Sequence, residues 1–545
     1  MNVGYHGLRL RWETPYMLTL AWLLITSASA DPSATCATED ATRFYEDGFA
    51  AQKGRDTEDA LGNYSRCIEA DPNCVPCWYE KGWSHWTRSE WDLTIQVWEQ
   101  VLSLDPNHGP TKEWLPQARD HKSGGGPTRS ATGLRIPMGT TSSPKDARVS
   151  MKLVARFQNY DSSPSAAGDH HDPDIFSPKS ARFLSDGSKV YVNSLEGLKT
   201  PVYDPKTHSK ITTIEHVFGP EDSGLFQGLT TIYNYPYYRH HKSGDDNQFG
   251  GKPVESALSH NDRYLWVPYY RRDFDIGARS PSAVSIIDTQ TDTIVRVLPT
   301  GPIPKYVAIS PDNHWAAISH WGDNTVAMVD ISSADPATFK YEEKRMVVER
   351  ILDQKNLGGN RDASCGSCLR GTVFSPDGTV LLVARMGDGG IAGFDVASQK
   401  YLGTVKGMPE TPRHLVFSPD GKTLYFSANK SGHVGKIGTE ELIRLLHGAK
   451  TSRVERQGWD SVYVGSGART LEVSPDGKTL FAAVNGRSQI VAIDAESLEI
   501  IAKVRTDSYT VGLAVSPDGT QIWTTSQGRG GKGGNSVCVF EVTTS

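Results

Sequence analysis

The sequence holds no apolar run near the roughly 20 residues that a helix needs to cross a membrane, so no transmembrane anchor is expected. Neither sign of charge dominates: 57 Lys and Arg stand against 63 Asp and Glu, a formal charge of −6. That balance gives no global pull toward nucleic acid, which is not an expected partner. A nucleotide-binding glycine loop, a serine-hydrolase elbow and a zincin motif are all missing. Trp78 and Leu369, rather than histidine, follow the two Cys-x-x-Cys pairs, which excludes covalent c-type haem.

What is present begins with a short leader. Arg9 and Arg11 precede the apolar stretch Met17–Thr26, and Ser27-Ala-Ser-Ala30 ends it before Asp31. This order predicts a secretory signal over 1–30 and export to the periplasm or beyond. The seven cysteines fit an oxidising compartment. Cys36, Cys67, Cys74 and Cys77 form one group, Cys365 and Cys368 another, and Cys538 sits in an apolar strand pattern. Six of them can make three disulfides of undetermined connectivity, and Cys74-Val-Pro-Cys77 also has the spacing of a redox pair.

Asp71-Pro72 and Asp105-Pro106 lie 34 residues apart, and the same shift maps Gly82 onto Gly48 and Trp98 onto Tyr64. Small residues let paired helices approach, an aromatic fills the groove, and proline ends each second helix. The pattern resembles the tetratricopeptide repeat, with a capping helix near 111–120 and a helical domain over 31–120. The resemblance implies a protein or peptide partner, with Trp83, Trp86, Trp91 and Trp98 as anchors or as core. Residues 121–147, rich in Gly, Ser, Thr and Pro, are expected to be a flexible linker.

From residue 180 onward, within a domain expected over 148–545, one unit recurs, with turns at Ser185, Ser259, Ser310, Ser375, Ser418, Ser474 and Ser516. Short alternating strands separated by Ser-Pro-Asp-Gly at a period near 40 predict a mainly β chain forming a seven-bladed β-propeller. The third strands Ser282–Asp288, Asn324–Asp330 and Gln489–Asp494, with those turns, resemble the YVTN-repeat (YncE-type) propellers. Met151–Phe157 is expected to supply the strand that the final blade lacks and so close the ring.

Candidate chemistry falls on the face opposite these turns, which carries most of the added loop length. Lys305, Arg370, Arg413 and Arg469 each precede a turn serine by five residues, so the repeat places them about one axis. With Tyr238, Arg239, Tyr270 and Arg271 on loops above, they suit an anionic small molecule or acidic glycan. His170, His171, His240, His241, His260, His320 and His414 are candidate ligands for copper or another transition metal. Pro412-Arg-His-Leu-Val-Phe417 looks like a strand of the seven-bladed lactonases, which implies an arginine and a histidine for ester hydrolysis. Two functions are therefore expected: an exported binding protein, or an exported propeller enzyme that is either a copper oxidoreductase or a lactonase-like hydrolase.

Overall fold

The computed structural model describes residues 36–53, 56–87, 90–122, 135–143, 148–235, 247–275, 277–352, 360–527 and 534–544. The expected signal segment lies outside them, as do Tyr238, Arg239, His240 and His241. The chain divides into two units, residues 1–129 and 130–545.

The first unit is helical: α1 Glu39–Lys53, α2 Thr57–Ala70, α3 Val75–Thr87, α4 Trp91–Leu104 and α5 Gly109–Lys122. The 34-residue repeat has a direct packing cause. Gly48 faces the Tyr64 ring, where a Cβ would sit 2.8 Å from Cε1, and Gly82 faces the Trp98 indole in the same way. Both Asp-Pro-Asn stops work alike, because Asp71 Oδ1 accepts from Asn73 N at 3.1 Å and Asp105 Oδ1 from Asn107 N at 2.9 Å. Cys36–Cys74 and Cys67–Cys77 are disulfides. Cys74 and Cys77 are thus not bonded to each other, and both are buried, which corrects the redox-pair expectation. Trp83 and Trp98 are buried in the core, and Trp86 and Trp91 meet edge to face at 5.1 Å.

The second unit holds seven mainly antiparallel sheets, each a blade, in a ring. Their first strands are Pro178–Phe183, Ala257–Ser259, Pro304–Ile309, Leu369–Phe374, Pro412–Phe417, Ala468–Val473 and Thr510–Val515. The turns that follow repeat one hydrogen-bond device. Ser375 Oγ donates to Asp377 Oδ1 at 2.5 Å and accepts from Val380 N at 2.9 Å, and Ser418, Ser474 and Ser516 do the same. The fourth residue must be left-handed, hence Gly378, Gly421, Gly477 and Gly519 at φ of 70° to 74°. Apolar side chains on facing sheets form the core between blades; Trp523 and Val539 of the last blade pack with Val190 and Tyr203 of the first.

Val149–Gln158 pairs antiparallel with Ser536–Thr544, Met151 opposite Val542 and Phe157 opposite Val537, which closes the ring as expected. The expected linker is shorter than 121–147. Helix α5 runs to Lys122, and Ile136 is buried against the propeller with its N–H donating to Asp507 Oδ1 at 2.9 Å. In blade 5 the helix Thr439–Ala449 fills the connection between the third and fourth strands.

Candidate functional site

Six of the seven first strands break their ladder with a β-bulge, and a bulge re-aims the side chain it carries. The residues there are Lys179, Lys305, Arg370, Arg413, Arg469 and Val511. The four cations expected from the turn spacing therefore stand at one level of the ring, and Lys179 joins them. It escapes the spacing rule because the first turn begins at Leu184, whose N–H donates to Lys189 O at 3.0 Å, and not at Ser185. The five bear on one another: burial, and then Arg469, Arg370, Lys305 and Arg413, push the Lys179 ammonium well below its ordinary range. Burial and the neighbouring Arg469 and Arg370 lower Arg413 likewise.

Two carboxylates offset part of this charge. Arg370 Nη2 donates to Glu255 Oε1 at 2.5 Å, and Lys305 Nζ donates to Asp362 Oδ1 at 3.3 Å. Lys305 Nζ also lies 3.9 Å from the centre of the Tyr270 ring, a cation–π contact. Burial drops the Lys305 ammonium to about 7, against the opposing pull of Asp362. Among the described residues Arg413 donates only to Met386 Sδ, from Nη1 at 3.4 Å, a weak acceptor. Among the described residues the ring thus sets five cations against two carboxylates.

Tyr270 and Arg271 are not on the loop expected from the sequence. Tyr264–Arg272 is one strand, prolonged past its blade by pairing with Phe249–Pro253. Tyr270 still reaches the ring, and Arg271 lies 5.3 Å from the Tyr270 ring centre.

The described histidines stand apart. His170 and His171 lie on the edge strand Asp169–His171, with His170 stacked on Phe157. His260 sits in the blade 2 turn, Nε2 on Ile331 O at 2.9 Å. His320 is buried in blade 3, with Nε2 on Thr300 Oγ1 and Nδ1 on Thr325 Oγ1, both at 2.8 Å. Among the described residues, the one group of three or more metal-capable donors is the cysteine quartet already spent in disulfides. A shared histidine metal centre is therefore not assembled from His170, His171, His260, His320 and His414.

His414 alone of these enters the channel. Its Nδ1 accepts from Leu471 N at 3.3 Å, which puts the proton on Nε2, where it donates to Tyr306 Oη at 2.9 Å. Burial, reinforced by Arg370, Arg182 and Arg413, holds it down to about 3, so it is neutral. Lys179, Glu255, Asp362 and Tyr306 escaped sequence reading. A corrected turn register recovers the first, and no repeat spacing marks the others.

The model of the family described as Lactonase, 7-bladed beta-propeller matches residues 257–527. Kuenenia stuttgartiensis hydrazine synthase is 17% identical with a TM-score of 0.47, covering 70% of this chain and 100% of that one. The Cps50 (Swd1) β-propeller domain of Myceliophteria thermophila is 12% identical with a TM-score of 0.46, covering 68% and 97%. No curated protein matches. The chain is a seven-bladed β-propeller with a small N-terminal helical region, similar over its second to seventh blades to that lactonase family.

Proposed function

We propose that the protein is exported and that its propeller channel binds a small polyanion, a di- or tricarboxylate or a phosphate ester. One observation carries this reading: five cations, raised on successive bulges, face one another with two carboxylates between them. Such a cluster is held at a cost that solvent or a bound anion must offset. An anion gains a charge-assisted hydrogen bond from each cation it reaches, and Arg413, with only a thioether partner among the described residues, has the most to offer. The disulfides support export. The helical unit, with its tetratricopeptide-like spacing, is proposed to dock a protein or peptide.

A second reading is favoured by the lactonase-family match and by Arg413-His414 in the channel: hydrolysis of an anionic lactone. There Arg413 would stabilise the oxyanion. His414 is committed to Leu471 and Tyr306, so a proton would have to pass through the Tyr306 hydroxyl, which makes binding the stronger reading.

A thermal-shift screen of carboxylates, phosphates and acidic oligosaccharides tests the first reading, since ligand bound to the native state raises its melting point. The double substitution Arg413→Gln, Arg469→Gln should abolish the shift without lowering stability. A blank screen together with a destabilised double variant would assign the arginines to structure alone. Release of a hydroxy acid from an added anionic lactone, lost in Arg413→Gln, would favour the second reading.

A further inference from the structure

At the opposite end of the channel, under the Ser-Pro-Asp-Gly turns, lies a cavity of about 400 Å³. That is toward the lower end of the range of ligand pockets, about 300–1,000 Å³. Leu258, Val307, Ile309 and Ala514 give it apolar walls. Two opposite charges also line it, each two residues before its turn: Arg182 from blade 1 and Glu472 from blade 6.

They do not pair. Arg182 Nη2 donates to Ser256 O at 3.1 Å, while its Nε finds no acceptor among the described residues. No described donor bonds the Glu472 carboxylate. The two sense each other electrostatically, since Arg182 opposes the rise that burial imposes on the Glu472 carboxyl. Glu255, the other acid nearby, adds to that rise and is itself committed to Arg370. Both residues are half-buried, and an arginine and a glutamate brought to one cavity without closing a salt bridge leave both heads for solvent or a ligand to complete.

We propose that this cavity is a binding site for a small zwitterion, an apolar α-amino acid, with its carboxylate on Arg182, its ammonium on Glu472 and its side chain against Leu258, Val307 and Ile309. A simple monoanion would satisfy Arg182 and set its charge beside Glu472. A simple amine would do the reverse. A zwitterion meets both at no net charge, and the apolar wall selects its side chain. This site is separate from the cation ring and does not depend on the polyanion reading.

Calorimetric titration of the full chain with leucine, 4-methylpentanoate and 3-methylbutylamine tests it. Leucine should bind, and the acid and the amine, each lacking one head, should bind at least tenfold more weakly. Glu472→Gln should abolish the preference for leucine over the acid, and Arg182→Gln the preference over the amine. Arg413→Gln with Arg469→Gln should leave leucine binding unchanged, which separates this site from the ring. No leucine binding, or equal binding of all three ligands, overturns the proposal. The ligand series on the unsubstituted protein decides this even if a variant fails to fold.

Discussion

Arg370 reaches past blade 3 to Glu255 of blade 2, Nη2 to Oε1 at 2.5 Å, while its Nη1 donates to Lys305 O at 3.3 Å. Arg370 is buried, Glu255 is half-buried, and the pair sits within the cation ring. Glu255→Gln would leave the Arg370 charge without its counterion among four other cations. A buried pair broken on one side typically costs about 3–5 kcal/mol, and the retained amide oxygen places this one at about 3 kcal/mol. Urea unfolding should show that loss, and a bound polyanion should restore part of it. The double variant Glu255→Gln, Arg370→Gln should recover most of the stability. A single variant as stable as the parent, with no response to anions, would mean solvent already screens the ring.

Ring closure makes a second prediction. Val149–Gln158 covers the Ser536–Thr544 edge along its length, and Arg156 adds an ion pair to Asp169 and one to Asp507 at 3.4 Å. Deleting 148–158 should bare that edge and cause aggregation, because an unpaired strand templates intermolecular pairing. A chain of residues 130–545 should stay folded, since the propeller has its own core. Size-exclusion chromatography and thermal melts distinguish the two, and a monomeric, equally stable deletion of 148–158 would refute the closure argument.

The fold was legible because its determinants are local. Each Ser-x-Asp-Gly turn closes through hydrogen bonds spanning five residues, and Gly82 and Trp98 are separated by one helical hairpin. Four of the five ring cations were legible for the same reason: a bulge five residues before a fixed turn repeats with the blade. Lys179 was hidden by a turn that has leucine in place of serine. Glu255 and Asp362 were hidden because their places depend on long-range pairing to Arg370 and Lys305, which no spacing encodes. The histidines misled because residue type alone was followed; His320 bonds Thr325 of its own blade and Thr300 of the blade before it.

Lys305 gives the ring a pH dependence with a definite sign. Burial lowers its ammonium from the ordinary 10.5 to about 7, so between those values the unfolded chain holds a proton that the folded chain has lost. Stability contributed at this site therefore rises with pH across that window. Anion binding should run the other way. Below about pH 7 Lys305 is charged and adds attraction; above it the neutral amine adds none. Affinity for a bound polyanion should fall as pH rises through about 7, and Lys305→Met should flatten that fall. Bound negative charge also favours the protonated forms of Lys305 and of Lys179, whose ammonium burial and then its four cationic neighbours push down in the free protein. Binding near neutral pH should therefore take up protons, measurable as a dependence of calorimetric heat on the ionisation enthalpy of the buffer. Proton release on binding, or an affinity flat across neutrality in the unsubstituted protein, would show that the anion does not meet these lysines.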